Sequence, residues 1–144
     1  MPTYPDGFPK EVMDAFEKAV YFFYLQRCGS DLPKEYAGLF AHKACHTDEA
    51  VVYGTEEKRE VSGGWHDAGD HVKFNLPMCY SATMLAWSYI EYEDTYKESG
   101  QDKYMLQQLR WVNDYFIKCH PEKYVYYYQV GDGDIDHQLW TAPC

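Results

Sequence analysis

Two aspartates, Asp67 and Asp70, lie three positions apart with only alanine and glycine between them. Glycines at positions 63, 64 and 69 permit a positive φ and a close approach of the backbone, so the sequence predicts a tight loop here. Such a loop can direct both carboxylates at one point, where they could deprotonate a bound water molecule or hold a cation. A solvated, aspartate-rich turn is the alternative explanation of the same residues. The pair is therefore a candidate catalytic site.

A second group of residues has the donor types of a zinc site. Cys28, Cys45, His46 and His66 offer two thiolates and two imidazoles, which suit tetrahedral Zn²⁺, and a closed four-ligand site is structural. The chain has five cysteines, an odd number without a regular disulfide framework. The spacing of the four residues is looser than that of a zinc finger. A buried pair of free cysteines, a Cys28–Cys45 disulfide and surface histidines therefore remain open on the residues alone.

The sequence around the aspartates resembles the signature of family 9 glycoside hydrolases, which are mostly endo-β-1,4-glucanases (cellulases). The resemblance covers nearly the whole chain from about Phe8. The matching runs are GGWHDAGDHVKF at residues 63–74, NLPM at 75–78, YSATMLAW at 80–87 and QVGDGDIDHQLW at 129–140. The resemblance implies that residues 1–144 are a fragment of one catalytic domain, incomplete at its C-terminus, and that a longer parent enzyme carries them.

The chemistry that the resemblance implies is cleavage of a β-1,4-glucosidic bond with inversion. Asp70 matches the general base that activates a water, and Asp67 matches a residue that orients or polarises the same water. His137 and Trp140 match positions that contact a glucosyl unit by hydrogen bonding and by stacking. A capped turn with a core tryptophan is the alternative for those two. The family's general acid is a glutamate far towards the C-terminus of the barrel, and no residue of this chain matches it.

Zinc is also implied by the resemblance. A subset of family 9 enzymes carries a zinc ion at the patterns Arg-Cys-Gly, Phe-Ala-His-x-Ala-Cys-His and Gly-Gly-Trp-His, which occur here at residues 27–29, 40–46 and 63–66. The resemblance assigns Cys28, Cys45, His46 and His66 as the ligands, with His42 as a competing ligand. A zinc ion there would pin a long loop and hold the backbone next to Asp67.

The elements that must position these residues are mainly helices. Apolar periodicity predicts helices at residues 10–27, 80–92 and 103–118. The first and third each have one apolar face, formed by Val12, Phe16, Ala19 and Phe23 in the first and by Met105, Leu109, Val112 and Phe116 in the third. The second is apolar on two faces and is predicted to be enclosed on both.

Between the first two helices, residues 28–77 form a long irregular stretch, and residues 124–130 are predicted to be a short strand or an extended segment. Irregular stretches of that length are usually functional or held by another group. The resemblance implies an all-α fold, an (α/α)6 barrel. This chain would supply about the first third of its helices, together with the long zinc-pinned loop.

Composition limits the partners. A net charge of -10 argues against nucleic acid and anionic membrane surfaces, and leaves a neutral polymer open. The 15 tyrosines and 4 tryptophans suit stacking on flat apolar faces such as those of sugar rings. No apolar run is long enough for a transmembrane helix, and no signal peptide is visible. The resemblance nevertheless implies a secreted parent, because cellulose cannot enter a cell. Accessory binding or docking modules in the parent are consistent with it.

The resemblance thus implies the base side of a secreted endoglucanase (EC 3.2.1.4) that hydrolyses internal bonds of cellulose or related β-glucans and is inactive as a fragment. The alternative is a carbohydrate- or zinc-binding module without hydrolysis, and an unrelated small zinc protein is a third reading. Asp67 and Asp70 favour the hydrolase, since a binding module has no use for a carboxylate pair in a glycine-rich loop.

Overall fold

The computed structural model describes residue 7 and residues 9–27, 49–51 and 56–138. The described part is mainly helical, as predicted. Its elements, in chain order, are α1 (Lys10–Leu25), β1 (Glu49–Val51), β2 (Lys58–Glu60), β3 (Lys73–Phe74), α2 (Asn75–Glu91), α3 (Glu93–Glu98), α4 (Asp102–Cys119), β4 (Gln129–Val130) and α5 (Gly133–Asp136). None of the described helices has both the length and the apolar character needed to cross a membrane.

Helix α4 is the centre of the described structure. Its buried residues recur every three or four positions and are Met105, Gln108, Val112, Tyr115 and Cys119. This spacing matches one face of a 3.6-residue helix, and α1, α2 and α3 all contact α4. The predicted stripe is confirmed, because Leu109 is partly buried against a cluster that contains Met105, and Phe116 is partly buried against a second cluster that contains Val112. The aspartate loop lies at one end of this core, where Trp65 packs with the α2 and α4 side chains.

Helix α1 also forms where the periodicity predicts it, but its packed face is shifted. Val20 and Tyr24 are its buried residues, whereas Val12 is 49% exposed. Tyr24 donates a hydrogen bond from its hydroxyl to the Gln107 side chain of α4. The polar end of a tyrosine therefore helps to select the face that contacts α4, which apolar periodicity alone does not reveal.

Helix α2 begins at Asn75, five residues before the predicted start at residue 80. Pro77 is tolerated because the amides of the first helical turn have no partner within the helix. The Asn75 side chain donates to the Tyr127 carbonyl at 2.6 Å and accepts from the Tyr115 hydroxyl at 2.7 Å. These two bonds fix the start of α2 against both α4 and the chain that leads into β4.

The prediction that α2 is enclosed on both faces is wrong for this structure. One face packs on α4 through Met78 and Ala82. The other face forms a stripe of exposed apolar side chains, at Leu76 (84% exposed), Tyr80 (68%), Met84 (43%), Trp87 (58%) and Ile90 (75%). The reason is geometric, because α4 covers a single face of α2.

Two short sheets replace part of the irregular stretch that was predicted for residues 28–77. Strands β1 and β2 pair antiparallel, with Glu49 opposite Glu60 and Val51 opposite Lys58. Strands β3 and β4 pair antiparallel, with Lys73 opposite Val130. Of the predicted extended segment 124–130, only Gln129–Val130 is a strand. The β3–β4 pair brings the chain after the aspartate loop next to the chain that leads into α5.

Candidate active site

The aspartate loop is closed by its own backbone. The amide of Asp67 donates to the carbonyl of Val72 at 2.9 Å, and the amide of Asp70 donates to the carbonyl of Asp67 at 3.1 Å. The tight loop is therefore present as predicted. Gly63 and Gly64 use the positive φ that glycine permits, whereas at the turn itself Ala68, and not Gly69, has a positive φ, at 43°. A Cβ at position 69 would meet no atom within 4 Å beyond its chain neighbours.

The close backbone approach occurs at Gly64, which precedes the loop. Its φ is +68°, and a Cβ there would lie 2.8 Å from Cδ1 and 2.9 Å from Cγ of Tyr115. Its carbonyl accepts a hydrogen bond from Nε1 of Trp111 at 3.1 Å. The backbone ahead of Asp67 therefore rests directly on two aromatic residues of α4, and only glycine fits there without a shift.

Asp70 is held at both carboxylate oxygens. Its side chain is 5% exposed; Oδ1 accepts from the amide of Val72 at 3.1 Å, and Oδ2 lies 2.8 Å from Nε2 of His137. An ionised carboxylate has only acceptors, so Nε2 of His137 carries the hydrogen and donates it. The structure thus brings together two residues, Asp70 and His137, that lie 67 positions apart in the sequence.

The bond to Asp70 also affects His137. It raises the pKa of His137 above its ordinary value of 6.5, and the nearby Asp136 and Asp134 carboxylates act in the same direction. The His137 side chain is 42% exposed, so it lies between the buried Asp70 and solvent. A hydroxyl-bearing ligand at this surface would meet the ring of His137.

A second pair, which the sequence did not predict, lies beside the first. His71 donates its amide hydrogen to Oδ2 of Asp136 at 3.2 Å, and its Nδ1 lies 3.1 Å from Oδ1 of the same carboxylate. Both residues belong to runs that the sequence analysis singled out, and each is adjacent to a candidate site residue. A pairing across 65 positions leaves no periodic signal, so only the fold reveals it.

Helix α5 presents Asp136 and His137 to the loop. Asp132 caps the helix by accepting from the amides of Asp134 at 2.9 Å and Ile135 at 3.2 Å, which is the usual role of aspartate at a helix N-terminus. The preceding strand β4 is paired with β3. The turn is therefore anchored at its start by the sheet and by its own cap.

Asp67 has different surroundings. It is half-buried and borders a cavity of about 490 Å³ between α1, the loop and the start of α2. Four aromatic residues line this cavity, namely Phe22, Phe23, Trp65 and Phe74. Two of these, Trp65 and Phe74, flank the aspartate pair in the sequence. The carboxylate of Asp67 thus adjoins an apolar, aromatic space.

The predicted zinc ligands fall only partly within the described structure. His66 is half-buried, with its ring centroid 6.1 Å from that of His71. Cys28, Cys45, His46 and the competing ligand His42 lie outside the described residues, as does Trp140. Arg27 and Trp65, the residues before Cys28 and His66 in the sequence, form an antiparallel bridge. The backbone thus brings together the segments that lead to two of the four predicted ligands.

Another set of potential metal donors lies at the candidate active site. Donor atoms of Asp70, Asp136 and His137 lie within 4.8 Å of one another. The hydrogen bonds of His137 and His71 already engage both carboxylates, which accounts for this proximity.

Comparisons with known proteins agree with this geometry. The sequence model of glycosyl hydrolase family 9 matches residues 13–144. Endoglucanase B of Cellulomonas fimi is 41% identical over 127 residues, which are 88% of this chain and 12% of that protein.

Two solved relatives superpose on most of the chain. The cellulase Cel9M of C. cellulolyticum, solved alone and with cellobiose, has a TM-score of 0.79 at 41% identity, covering 91% of this chain and 30% and 29% of those chains. An endoglucanase from the termite Nasutitermes takasagoensis has a TM-score of 0.82 at 34% identity, covering 94% of this chain and 30% of that chain.

The chain spans less than a third of the length of each of these relatives. The solved relatives have an (α/α)6 barrel fold, and the helices described above are consistent with part of such a barrel, as predicted. The matched region contains the aspartate loop, the sheet that links it to α5, and His137. This chain therefore belongs to glycosyl hydrolase family 9.

Proposed function

We propose that this chain forms the water-activating side of the active site of an endo-β-1,4-glucanase. The observation that carries the proposal is Asp70, a nearly buried carboxylate held at both oxygens by the Val72 amide and by His137. The names of the relatives support the substrate class, since they are endoglucanases and a cellulase solved with cellobiose.

The step assigned to Asp70 is proton removal from water. A water oxygen bonds to the anomeric carbon while Asp70 takes one of its protons, and the bond from that carbon to the leaving oxygen breaks. An ionised carboxylate has about four lone-pair sites, so two donors still leave room for the water. Because Val72 and His137 fix the two oxygens, the base does not need to reorient during the reaction. Attack from the side opposite the leaving group inverts the anomeric configuration.

Asp67 is assigned the orientation of the same water. Its amide and its carbonyl are both engaged inside the loop, so the residue has a fixed place relative to Asp70. Its carboxylate borders the aromatic cavity, where a sugar ring would have a flat apolar face to pack on. His137 and Trp140 are assigned contacts with a glucosyl unit, and the 42% exposure of His137 supports its part.

The general acid is assigned to the remaining part of the parent enzyme. An inverting pair requires roughly 6.5–9.5 Å between the two carboxyl groups, so that a water fits beside the anomeric carbon. Asp67 and Asp70 share one four-residue turn and both belong to the water side. The relatives extend well beyond the matched region, which leaves room for a second carboxyl group.

We also propose a structural zinc ion held by Cys28, Cys45, His46 and His66. The donor set suits tetrahedral Zn²⁺, and the Arg27–Trp65 bridge lies directly before two of the proposed ligands. Zinc at this place would stabilise the loop that precedes Asp67. The parent enzyme is proposed to be secreted, since its polymeric substrate lies outside the cell.

The test of the function is the activity of the parent enzyme on carboxymethyl cellulose. Asp70→Ala should lower kcat by about 10²–10⁴-fold, because it removes the base. Asp134→Ala is the matched control, since Asp134 is an exposed carboxylate of the same active-site turn and should leave kcat unchanged. Comparable kcat values for wild type and Asp70→Ala would refute the proposed function.

A further inference from the structure

We propose that Asp136 is a positioning residue, which acts through His71 to hold the aspartate loop where Asp70 meets His137. The inference rests on the proposed function of Asp70. Asp136 uses both carboxylate oxygens on one residue of the loop, the Oδ2 on the amide of His71 at 3.2 Å and the Oδ1 on its ring Nδ1 at 3.1 Å. Such a two-point contact fixes the backbone and the side chain of His71 together.

Two neighbouring contacts join the aspartate loop to the end of α5. Residues 70 and 71 of the loop pair with residues 137 and 136 at the C-terminal end of α5, respectively. Asp70 and His71 share a peptide bond. The hydrogen bond from the His71 amide to Asp136 therefore also orients the backbone from which the Asp70 side chain projects. The two pairs therefore act together to hold the aspartate loop against the C-terminal end of α5.

Asp136 is well placed to position the loop, and it has no direct role in the chemical step. Its side chain is 18% exposed and that of His71 is 26% exposed, so solvent competes only partly for the contact. Asp132 anchors the other end of the four-residue helix. With both of its oxygens directed at His71, Asp136 acts on the reaction through the placement of Asp70.

A pair of isosteric substitutions at position 71 isolates the ring contact. In His71→Asn, the side-chain amide nitrogen occupies the place of Nδ1 and still donates to Asp136. In His71→Leu, the leucine side chain has nearly the shape of asparagine but lacks the nitrogen that donates to Asp136. Both variants keep the backbone amide. Asp136→Asn adds a third variant in which one of the two acceptor oxygens is lost, and Asp134→Asn removes an equivalent charge from the same turn without touching the loop.

The experiment measures kcat and KM of these four variants in the parent enzyme, next to wild type and Asp70→Ala. His71→Leu and Asp136→Asn are expected to lower kcat by about 10- to 100-fold with KM changed by less than about twofold, because a small displacement of the base weakens the chemical step. His71→Asn and Asp134→Asn are expected to remain within about twofold of wild type in kcat.

Two results would overturn the inference. One is equal kcat values for His71→Asn and His71→Leu, which would show that the donor is irrelevant; this comparison decides the matter even where Asp136→Asn does not fold. The other is a wild-type kcat for Asp136→Asn. If either occurs while Asp70→Ala has lost its activity, the inference alone fails. If Asp70→Ala is itself fully active, the proposed function fails, and the positioning role fails with it.

Discussion

Asp67 and Asp70 are the same residue type in one short turn, yet the fold gives them different surroundings. Asp70 is buried and held by a backbone amide and an imidazole, whereas Asp67 is half-buried beside an aromatic cavity. Different environments let two carboxylates take different roles in one reaction. The different roles proposed for the two residues, base for Asp70 and water orientation for Asp67, therefore follow from the neighbours of each side chain.

A first prediction concerns the titration of His137. Its pKa in the folded enzyme should lie above 6.5, first because of the bond to Asp70 and further because of the Asp136 and Asp134 carboxylates. Because this pKa is raised on folding, the charged His137–Asp70 pair stabilises the fold fully at a pH below the pKa of His137 in the unfolded chain. The stabilisation is lost as the pH rises through the pKa of His137 in the folded enzyme. NMR of labelled histidine in the parent enzyme measures the pKa directly. Asp70→Asn should lower it by more than Asp134→Asn does, and equal shifts in the two variants would contradict the assignment.

At the scale of elements, the backbone ahead of the aspartates depends on contact with α4. Gly64 lies so close to the Tyr115 ring that a Cβ would overlap it, and the Asn75 side chain joins Tyr115 to the chain before β4. Tyr115 of α4 is therefore a common contact for the aspartate loop, the start of α2 and the chain that leads into β4. A change in that contact should alter stability and the site together.

The second prediction follows from the contact of Gly64. Gly64→Ala should destabilise the parent enzyme by about 2–4 kcal/mol, because the added methyl group overlaps the Tyr115 ring and alanine disfavours the φ of +68°. Gly69→Ala is the control, with no atom within 4 Å of its Cβ, and should change stability by less than about 0.5 kcal/mol. Urea unfolding measures both. Similar stabilities for the two variants would contradict the packing described here.

The third prediction concerns the zinc ion of the loop. Purified protein should contain about one Zn²⁺ per chain, and Cys45→Ser should lose it, because a closed tetrahedral site needs all four ligands. Cys79→Ser is the control, since Cys79 is a free cysteine of α2 outside the proposed ligand set. Elemental analysis decides the question: absence of zinc from the wild type, or equal zinc in both variants, would exclude this site.

The elements also show what sequence can and cannot predict here. Periodic apolar residues predicted α1, α2 and α4, because a long amphipathic helix repeats its signal over several turns. The short elements α3 and α5 and the β1–β2 pair carry too few residues for such a signal. The start of α2 was missed because Asn75 uses its side chain on residues 115 and 127, which are distant in sequence. The Asp136–His71 pair was missed for the same reason.

At the scale of the whole molecule, the exposed apolar stripe on α2 is the most notable feature. A helix with five large apolar side chains exposed along one face is suited to packing against further protein. The solved relatives, of which this chain spans less than a third, provide such protein in their barrel. The isolated chain therefore presents to water a surface that we expect to be interior in the parent enzyme.

The fourth prediction is that residues 1–144 alone do not hydrolyse β-1,4-glucan. The proposed general acid is missing, and general acid catalysis is worth about 10²–10⁴-fold. The exposed face of α2 should also cause self-association or a loosely packed helical state. Reducing-sugar release from carboxymethyl cellulose and light scattering measure the two effects. Release of sugar that Asp70→Ala abolishes would show that a residue of this chain serves as the acid.

Asp70 is proposed to be the base that activates water for an inverting displacement. The most direct measurement is azide rescue of Asp70→Ala in the parent enzyme, because azide attacks the anomeric carbon without needing a base. We expect the variant to lose its hydrolytic activity and azide to restore cleavage, with an α-configured glycosyl azide formed from the β-linked substrate. A β-configured azide, or a variant that keeps about a tenth or more of the wild-type kcat without azide, would contradict it.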